Sequence, residues 1–284
     1  MGSRRPRLAV TLGDPRGIGP EVVEKALAQP LDADVVMVGE RAQGLGRDLA
    51  AEAAGRVAGQ AIEEAARLAL AGKVDAIVTG PVHKQALHAA GYRYPGVTEF
   101  LAHLAGGVPV AMMLAAGKLR VVLVTTHLPL RDVATAVTTE RVVQAGQIAA
   151  DALRRWWGIA APRLAVCALN PHAGEGGLFG DEDDRVLRPA AVALGAAGPL
   201  PADTVFVKAL RGDFDAVLAP YHDVGMTAVK VAGFGHGVNV TLGLPFIRTA
   251  PDHGTALDIA GTGKADPTSM RAALELATQL ARRR

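Results

Sequence analysis

The chain has 284 residues, half of them hydrophobic, 20% charged and 4% aromatic, with a formal net charge of +2. That apolar fraction excludes a disordered chain, and the near-neutral balance with few rings argues against a nucleic-acid or anionic-membrane surface. One cysteine, Cys167, excludes an internal disulfide framework and fits a reducing compartment; in its apolar run it reads as a small buried hydrophobe.

The basic start, residues 1–7, is followed by an apolar run of only five residues, 8–12. A secretory signal needs a core of about 7–15 apolar residues and a membrane helix about 20, so a soluble, cytoplasmic protein is expected. Further short apolar runs at 34–38, 75–79, 108–114, 120–125, 163–169, 215–219 and 238–242 read as strands. Between them, 60–71, 139–157 and 267–283 read as helices, with Thr138 or Thr139 as the cap of the second. Continuous apolar strands alternating with helices predict an α/β protein with mainly parallel sheets covered on both faces. The Gly13–Gly19 segment has glycines at the wrong spacing for the dinucleotide fingerprint. It suits either an anion at a helix start or a structural turn before Pro20.

The strand ends carry the chemistry. Five of them run into polar residues beside Pro or Gly: Asp14, His83 with Lys84, His127, Asn170 with His172, and His222 with Asp223. In open α/β sheets ligands bind beyond the strand C-termini, so these ends predict one convergent polar site. His127, His172 and His222 each follow an apolar strand and lie too far apart in sequence for a local finger. Three neutral imidazoles with open positions is the pattern of a catalytic metal. His88 and His103 fall in helical patterns, and His83 sits in a loop. Arg248, after the apolar run, and Lys230 are candidate anion contacts, the first through a planar fork and the second as a point charge.

Taken together, several stretches resemble the PdxA family of vitamin B6 biosynthesis, the 4-hydroxythreonine-4-phosphate dehydrogenases. They are Gly13-Asp-Pro-Arg-Gly-Ile-Gly-Pro-Glu21, Thr79-Gly-Pro-Val-His-Lys84, Thr126-His-Leu-Pro129 and Asn170-Pro-His-Ala-Gly-Glu175. Gly198-Pro-Leu-Pro-Ala-Asp-Thr204, Tyr221-His-Asp223, Thr241-Leu-Gly-Leu-Pro-Phe-Ile-Arg-Thr249 and Asp252-His-Gly-Thr-Ala-Leu-Asp-Ile-Ala-Gly261 follow in order. The resemblance implies an isocitrate/isopropylmalate dehydrogenase-like fold with two α/β/α lobes and an interlobe cleft. Residues 1–96 plus 249–284 are expected to form the first lobe with the cofactor loop, and 97–248 the second, with metal, substrate and dimer contacts.

It further implies NAD(P)-dependent oxidation of 4-phosphooxy-L-threonine to 2-amino-3-oxo-4-phosphooxybutanoate. That product decarboxylates to 3-amino-2-oxopropyl phosphate, on the way to pyridoxine 5'-phosphate. The implied cofactors are NAD or NADP and one divalent ion (Zn, Mg or Co). The implied ligands of that ion are His127, His172 and His222, the last supplied across a homodimer interface that shares the active site. Thr98, Lys230, Asn239 and Arg248 carry over as substrate contacts, and His253, Gly254, Thr255 and Ala256 as the loop for the adenosine end of the cofactor. Asp203 and Asp223 are candidate bases or orienters of the ligating imidazoles, with Lys230 beside them in the catalytic set; a turn or capping role fits Asp203 equally.

The chain departs from the family twice. Val97 stands where relatives usually have a substrate-contacting His, which opens the alternative of a dehydrogenase for threonate or erythronate 4-phosphate. The segment between Val38 and Asp75 looks shorter than in many relatives. A more distant alternative is a phosphate-ester-binding or acyl-transferring protein, since phosphotransacetylases share the two-lobed architecture.

Overall fold

A computed structural model describes residues 4–39, 49–233 and 235–283. The chain divides into two compact units: residues up to Val110 together with those from Val238 onward, and Ala111–Gly237. The divisions fall at 110/111 and 237/238, where 96/97 and 248/249 were expected. The difference has a physical reason. The helix Val97–Leu104 packs Phe100 and Leu101 into the core of the first unit, and residues 238–248 pair within the first unit's strands. Thr98, Asn239 and Arg248 therefore belong to the first unit.

In that unit β1 (Arg7–Thr11) pairs in parallel with β2 (Asp34–Val38) and β3 (Ala76–Thr79). β10 (Ile247–Pro251) adds in parallel to β3, and β9 (Val238–Leu242) runs antiparallel beside β10. Ala9, Ile62, Ile77, Phe100, Leu244 and Phe246 anchor the core. Around the strands lie α1 (Gly19–Leu27), α2 (Ala51–Leu70), α3 (Lys84–Ala89), α4 (Val97–Leu104) and α10 (Thr268–Arg282). Part of the stretch that looks short against relatives, 40–48, lies outside the described residues; α2 occupies most of the rest.

In the second unit β4 (Ala111–Ala116) and β5 (Leu119–Leu123) form an antiparallel hairpin. From β5 the order continues in parallel through β8 (Ala216–Ala219), β6 (Leu164–Cys167) and β7 (Ala197–Leu200). Its helices are α5 (Leu130–Ala136), α6 (Thr139–Trp157), α7 (Arg188–Leu194), α8 (Ala202–Arg211) and α9 (His222–Gly233). α6 keeps the bounds its pattern predicts. The Thr138 hydroxyl accepts from the Arg141 N–H at 3.3 Å, Gly158 ends the helix in the left-handed region, and Val142, Ala149, Leu153 and Trp156 are buried at helical spacing. Cys167 is fully buried, and burial pushes its thiol up to about 12, so it packs as a small hydrophobe.

The mixed α/β class with mainly parallel strands matches the sequence-based expectation. Among the described residues no helix is long and apolar enough to cross a membrane.

Candidate active site

The first unit gathers threonine hydroxyls around one buried guanidinium. Arg248 points from β10 into the core and is almost wholly buried. Its Nε and Nη2 donate to Thr79 Oγ1 at 3.1 and 2.7 Å, and Nη1 donates to Thr241 Oγ1 at 3.0 Å. Thr98 Oγ1 lies 3.4 Å from Thr241 Oγ1 and ties α4 to the same cluster. Every acceptor here is a neutral hydroxyl. Burial pushes the guanidinium pKa down to about 10, with the charge of Glu99 acting the other way. Each terminal nitrogen also keeps a second N–H beyond these bonds. A buried cation with spare donors and no carboxylate bonded to it is costly unless an incoming anion completes it.

Buried oxygens lie alongside. Thr11 pairs in register with Thr79, so their side chains share a sheet face, and Thr11 Oγ1 is buried with no partner. Asn239 Oδ1, on β9, is also buried without a partner. Sequence reasoning selected Asn239, Thr98 and Arg248 but missed Thr11, Thr79 and Thr241. The available signal was a polar residue at or near the C-terminal end of an otherwise apolar strand. His83 caps the start of α3 with Nδ1 buried and unpartnered. Val97, the departure from the family, packs against the core with Tyr92 and Tyr94.

The turn before α1 and the loop 253–256 are stitched together. Gly13, at φ 78°, lies where a Cβ would come within 2.1 Å of the Pro81 carbonyl oxygen, so only glycine fits. The Ile18 N–H donates to the Thr255 carbonyl at 2.9 Å. His253 Nδ1 lies 3.0 Å from the Gly254 carbonyl; with the proton on Nδ1, Nε2 is left as a buried acceptor without a partner. Gly254 is exposed, and Ala256 adopts φ 38°. This loop can receive a ligand that donates hydrogen bonds.

The second unit presents the histidines. His127 follows β5 and His222 opens α9; their ring centroids are 5.4 Å apart. His222 Nδ1 lies 2.7 Å from Asp223 Oδ1, which assigns the proton to Nδ1 and leaves Nε2 as a lone-pair donor. His172 sits in a run of five residues with left-handed φ, from 53° at His172 through Ala173, Gly174 and Glu175 to 64° at Gly176. Three of them are not glycine, a costly backbone that fixes where the imidazole projects. Among the described residues no three His, Cys, Asp or Glu side chains are gathered closely enough to hold a metal. One chain thus brings His127 and His222 together and leaves the expected three-imidazole set incomplete. The donor chemistry of that pair, with a carboxylate behind one ring, fits a borderline divalent ion.

Two further expected residues are exposed on helices of the same unit. Lys230 is exposed on α9 eight residues beyond His222, about 12 Å along the helix axis. Asp203 is exposed in the first turn of α8 and makes no capping bond; Pro201 occupies the cap position and Thr204 bonds the Pro201 carbonyl. The capping reading of Asp203 has no bond behind it.

Residues 22–277 match the family model described as pyridoxal phosphate biosynthetic protein PdxA. The chain is 43% identical to the 4-hydroxythreonine-4-phosphate dehydrogenase of Geobacter metallireducens, over 99% of this chain and 97% of that one. It is 42% identical to the D-threonate 4-phosphate dehydrogenase of Pectobacterium atrosepticum, over 96% and 99%. Among solved structures, the 4-hydroxythreonine-4-phosphate dehydrogenase of Klebsiella pneumoniae is similar with a TM-score of 0.89 at 41% identity, covering 97% of this chain and 99% of that one.

Proposed function

The chain belongs to the PdxA family, and from that premise we propose that it is an NAD(P)-dependent dehydrogenase that oxidises 4-phosphooxy-L-threonine in pyridoxine 5'-phosphate synthesis. The observation that carries the reading is Arg248, a buried guanidinium bonded only to threonine hydroxyls. It supports a substrate whose phosphate or carboxylate supplies the missing negative charge.

Thr98, Asn239 and Arg248 bind and orient the substrate, and Lys230 contributes a further cation toward its anionic groups. The buried, unpartnered oxygens of Thr11 and Asn239 support the same site, because each needs a donor that a hydroxyl or ammonium group can give. His127, His172 and His222 would hold a divalent ion, and His253–Ala256 the adenosine end of the nicotinamide cofactor. When bound, the ion lowers the pKa of the reacting alcohol and the nicotinamide accepts the hydride. Asp223 keeps His222 in the tautomer that offers Nε2. Asp203, exposed and bonded to no cap, and Asp223 are the candidate proton acceptors from the substrate hydroxyl; the β-keto acid formed then loses its carboxylate as CO2.

The ligand set is completed between two copies of the chain, in a homodimer. Support comes from exposed apolar side chains beside the histidines: Leu128 and Leu130 follow His127, and Leu178 and Phe179 follow His172. We place the enzyme in the cytoplasm, in keeping with its lone buried thiol.

A second reading, oxidation of D-threonate 4-phosphate, is favoured by one residue: Val97 offers no hydrogen bond where relatives usually place His. The test is NADH appearance with 4-phosphothreonine and with threonate 4-phosphate, each with and without added divalent ion. Faster turnover of the amino substrate, abolished by chelator and by His172→Ala with the circular dichroism unchanged, is the expected result. Undiminished turnover in chelator would overturn the metal assignment, and preference for the hydroxy acid would establish the second reading.

A further inference from the structure

The first unit holds a cavity of about 930 Å³ alongside α1, lined by Gly13, Arg16, Glu21, Glu24, Gly39 and Gly261 among others. The volume suits a nucleoside-sized ligand. Glu21 is fixed at its wall. Its Oε1 accepts from Lys25 Nζ at 2.8 Å and from the Ala265 N–H at 3.0 Å, and Lys25 is held in turn by the carbonyls of Gly263 and Ala265. Its other oxygen, Oε2, is buried and has no partner. A carboxylate oxygen held this rigidly in a cavity wall demands a hydrogen-bond donor from whatever enters.

The charges of the cavity narrow that ligand. Among the described residues lining it, Arg16 is the one cation. Its Nη2 and Nε bond the two oxygens of fully buried Asp14 at 2.8 and 3.1 Å, so its charge is already spent. Glu21 is likewise paired, with Lys25, a bond that keeps it ionised, and Glu24 adds a second carboxylate to the lining. The wall therefore offers an acceptor to a neutral hydroxyl, while a phosphate would meet two carboxylates and no unpaired cation among the described lining residues. The turn that lines the cavity abuts the proposed cofactor loop: Ile18 bonds Thr255, and a Cβ on Gly17 would come within 2.7 Å of the Thr255 carbonyl oxygen.

We propose that Glu21 accepts a hydrogen bond from the ribose diol of the adenosine half of the dinucleotide and so selects NAD over its 2'-phosphorylated form. This rests on the dehydrogenase reading above. The chemistry is that by which an acidic side chain recognises a ribose 2'-hydroxyl in other dinucleotide sites, here on a helix that lacks the usual glycine fingerprint.

Calorimetric titration of the full chain with ADP-ribose and with its 2'-phosphate tests the idea without catalysis. The wild type is expected to bind ADP-ribose about tenfold more tightly, since the added phosphate would meet two carboxylates and no unpaired cation. Glu21→Gln, which keeps an acceptor for Lys25 and Ala265, is expected to shrink that ratio to about threefold or less. Equal binding of both ligands by the wild type would overturn the proposal, whether or not the variant folds, as would a ratio unchanged in Glu21→Gln. Saturable binding of NADP in place of NAD would sink this inference alone, whereas binding of no dinucleotide would sink the dehydrogenase reading with it.

Discussion

The guanidinium of Arg248 donates twice to a single hydroxyl, that of Thr79, at 3.1 and 2.7 Å. A threonine oxygen shared in this way positions the side chain but does not neutralise it. Arg248→Met is therefore expected to cost about 10²-fold or more in kcat/KM, because hydrogen bonds to charged groups are each worth about 1.5–3 kcal/mol. The variant should melt no lower than wild type in the absence of ligand, since the buried charge goes with the side chain. Inorganic phosphate should raise the wild-type Tm and leave that of Arg248→Met unchanged. A large loss of Tm in the variant would mean that the charge is already compensated.

The pH dependence has a definite sign. A base whose folded pKa lies below its ordinary value folds at a cost while it is charged, and here burial lowers it to about 10. Below pH 10 the penalty is present in full, and above about 10, up to the ordinary arginine value, stability attributable to Arg248 rises with pH. Alkaline denaturation of wild type against Arg248→Met checks this: the difference between the two should shift in favour of wild type across that window.

Asp223→Asn tests the carboxylate behind His222. Removing the charge that holds Nδ1–H should weaken divalent-ion affinity by about 10–100-fold, read by competition with a chromophoric chelator. Unfolding midpoints should stay near wild type, because Asp223 is exposed.

Cys167 is expected to resist thiol reagents in the native protein at neutral pH. Burial pushes its pKa up to about 12, so almost no thiolate is present. Labelling should begin only with unfolding, in parallel with loss of ellipticity in denaturant.

Ala173→Gly addresses the left-handed run around His172. Ala173 holds φ 56°, a conformation glycine adopts without steric cost. Relief of that strain, partly offset by the entropy of an unfolded glycine, should stabilise the protein by about 0.5–1 kcal/mol. A thermal scan at fixed protein concentration is the measurement, and destabilisation would show that the turn is held without strain.

Legibility in the sequence followed physical signal. α6 carries a cap, a helical apolar stripe and a terminating glycine, and its bounds were evident. The strands at 34–38 and 238–242 were evident because they are short runs rich in valine, with one polar residue in the first and two in the second. β7 (Ala-Gly-Pro-Leu) was missed, since Gly and Pro both disfavour strands and its pairing comes from the neighbour β6. β10 was missed for a related reason: it ends in Pro251 and follows a turn that reads as a continuation of β9. That error displaced Arg248 from a strand interior to a loop. The three histidines were legible as strand-end residues, but the nearness of His127 to His222 is a product of tertiary folding that no spacing encodes. Val97 looked like a lost polar contact, and its side chain proves to serve the core.

The discontinuity of the first unit has a kinetic consequence. β10 is the strand between β3 and β9, yet it lies about 170 residues after β3 in the chain. A nascent polypeptide holds β1, β2 and β3 with an open edge while the whole of Ala111–Gly237 is still being synthesised. The intervening unit has every one of its own strands by then and can fold first, whereas its elder neighbour waits for the last stretch to leave the ribosome. Such an exposed edge is where a chaperone would be expected to act, and slow translation past residue 251 would prolong the wait.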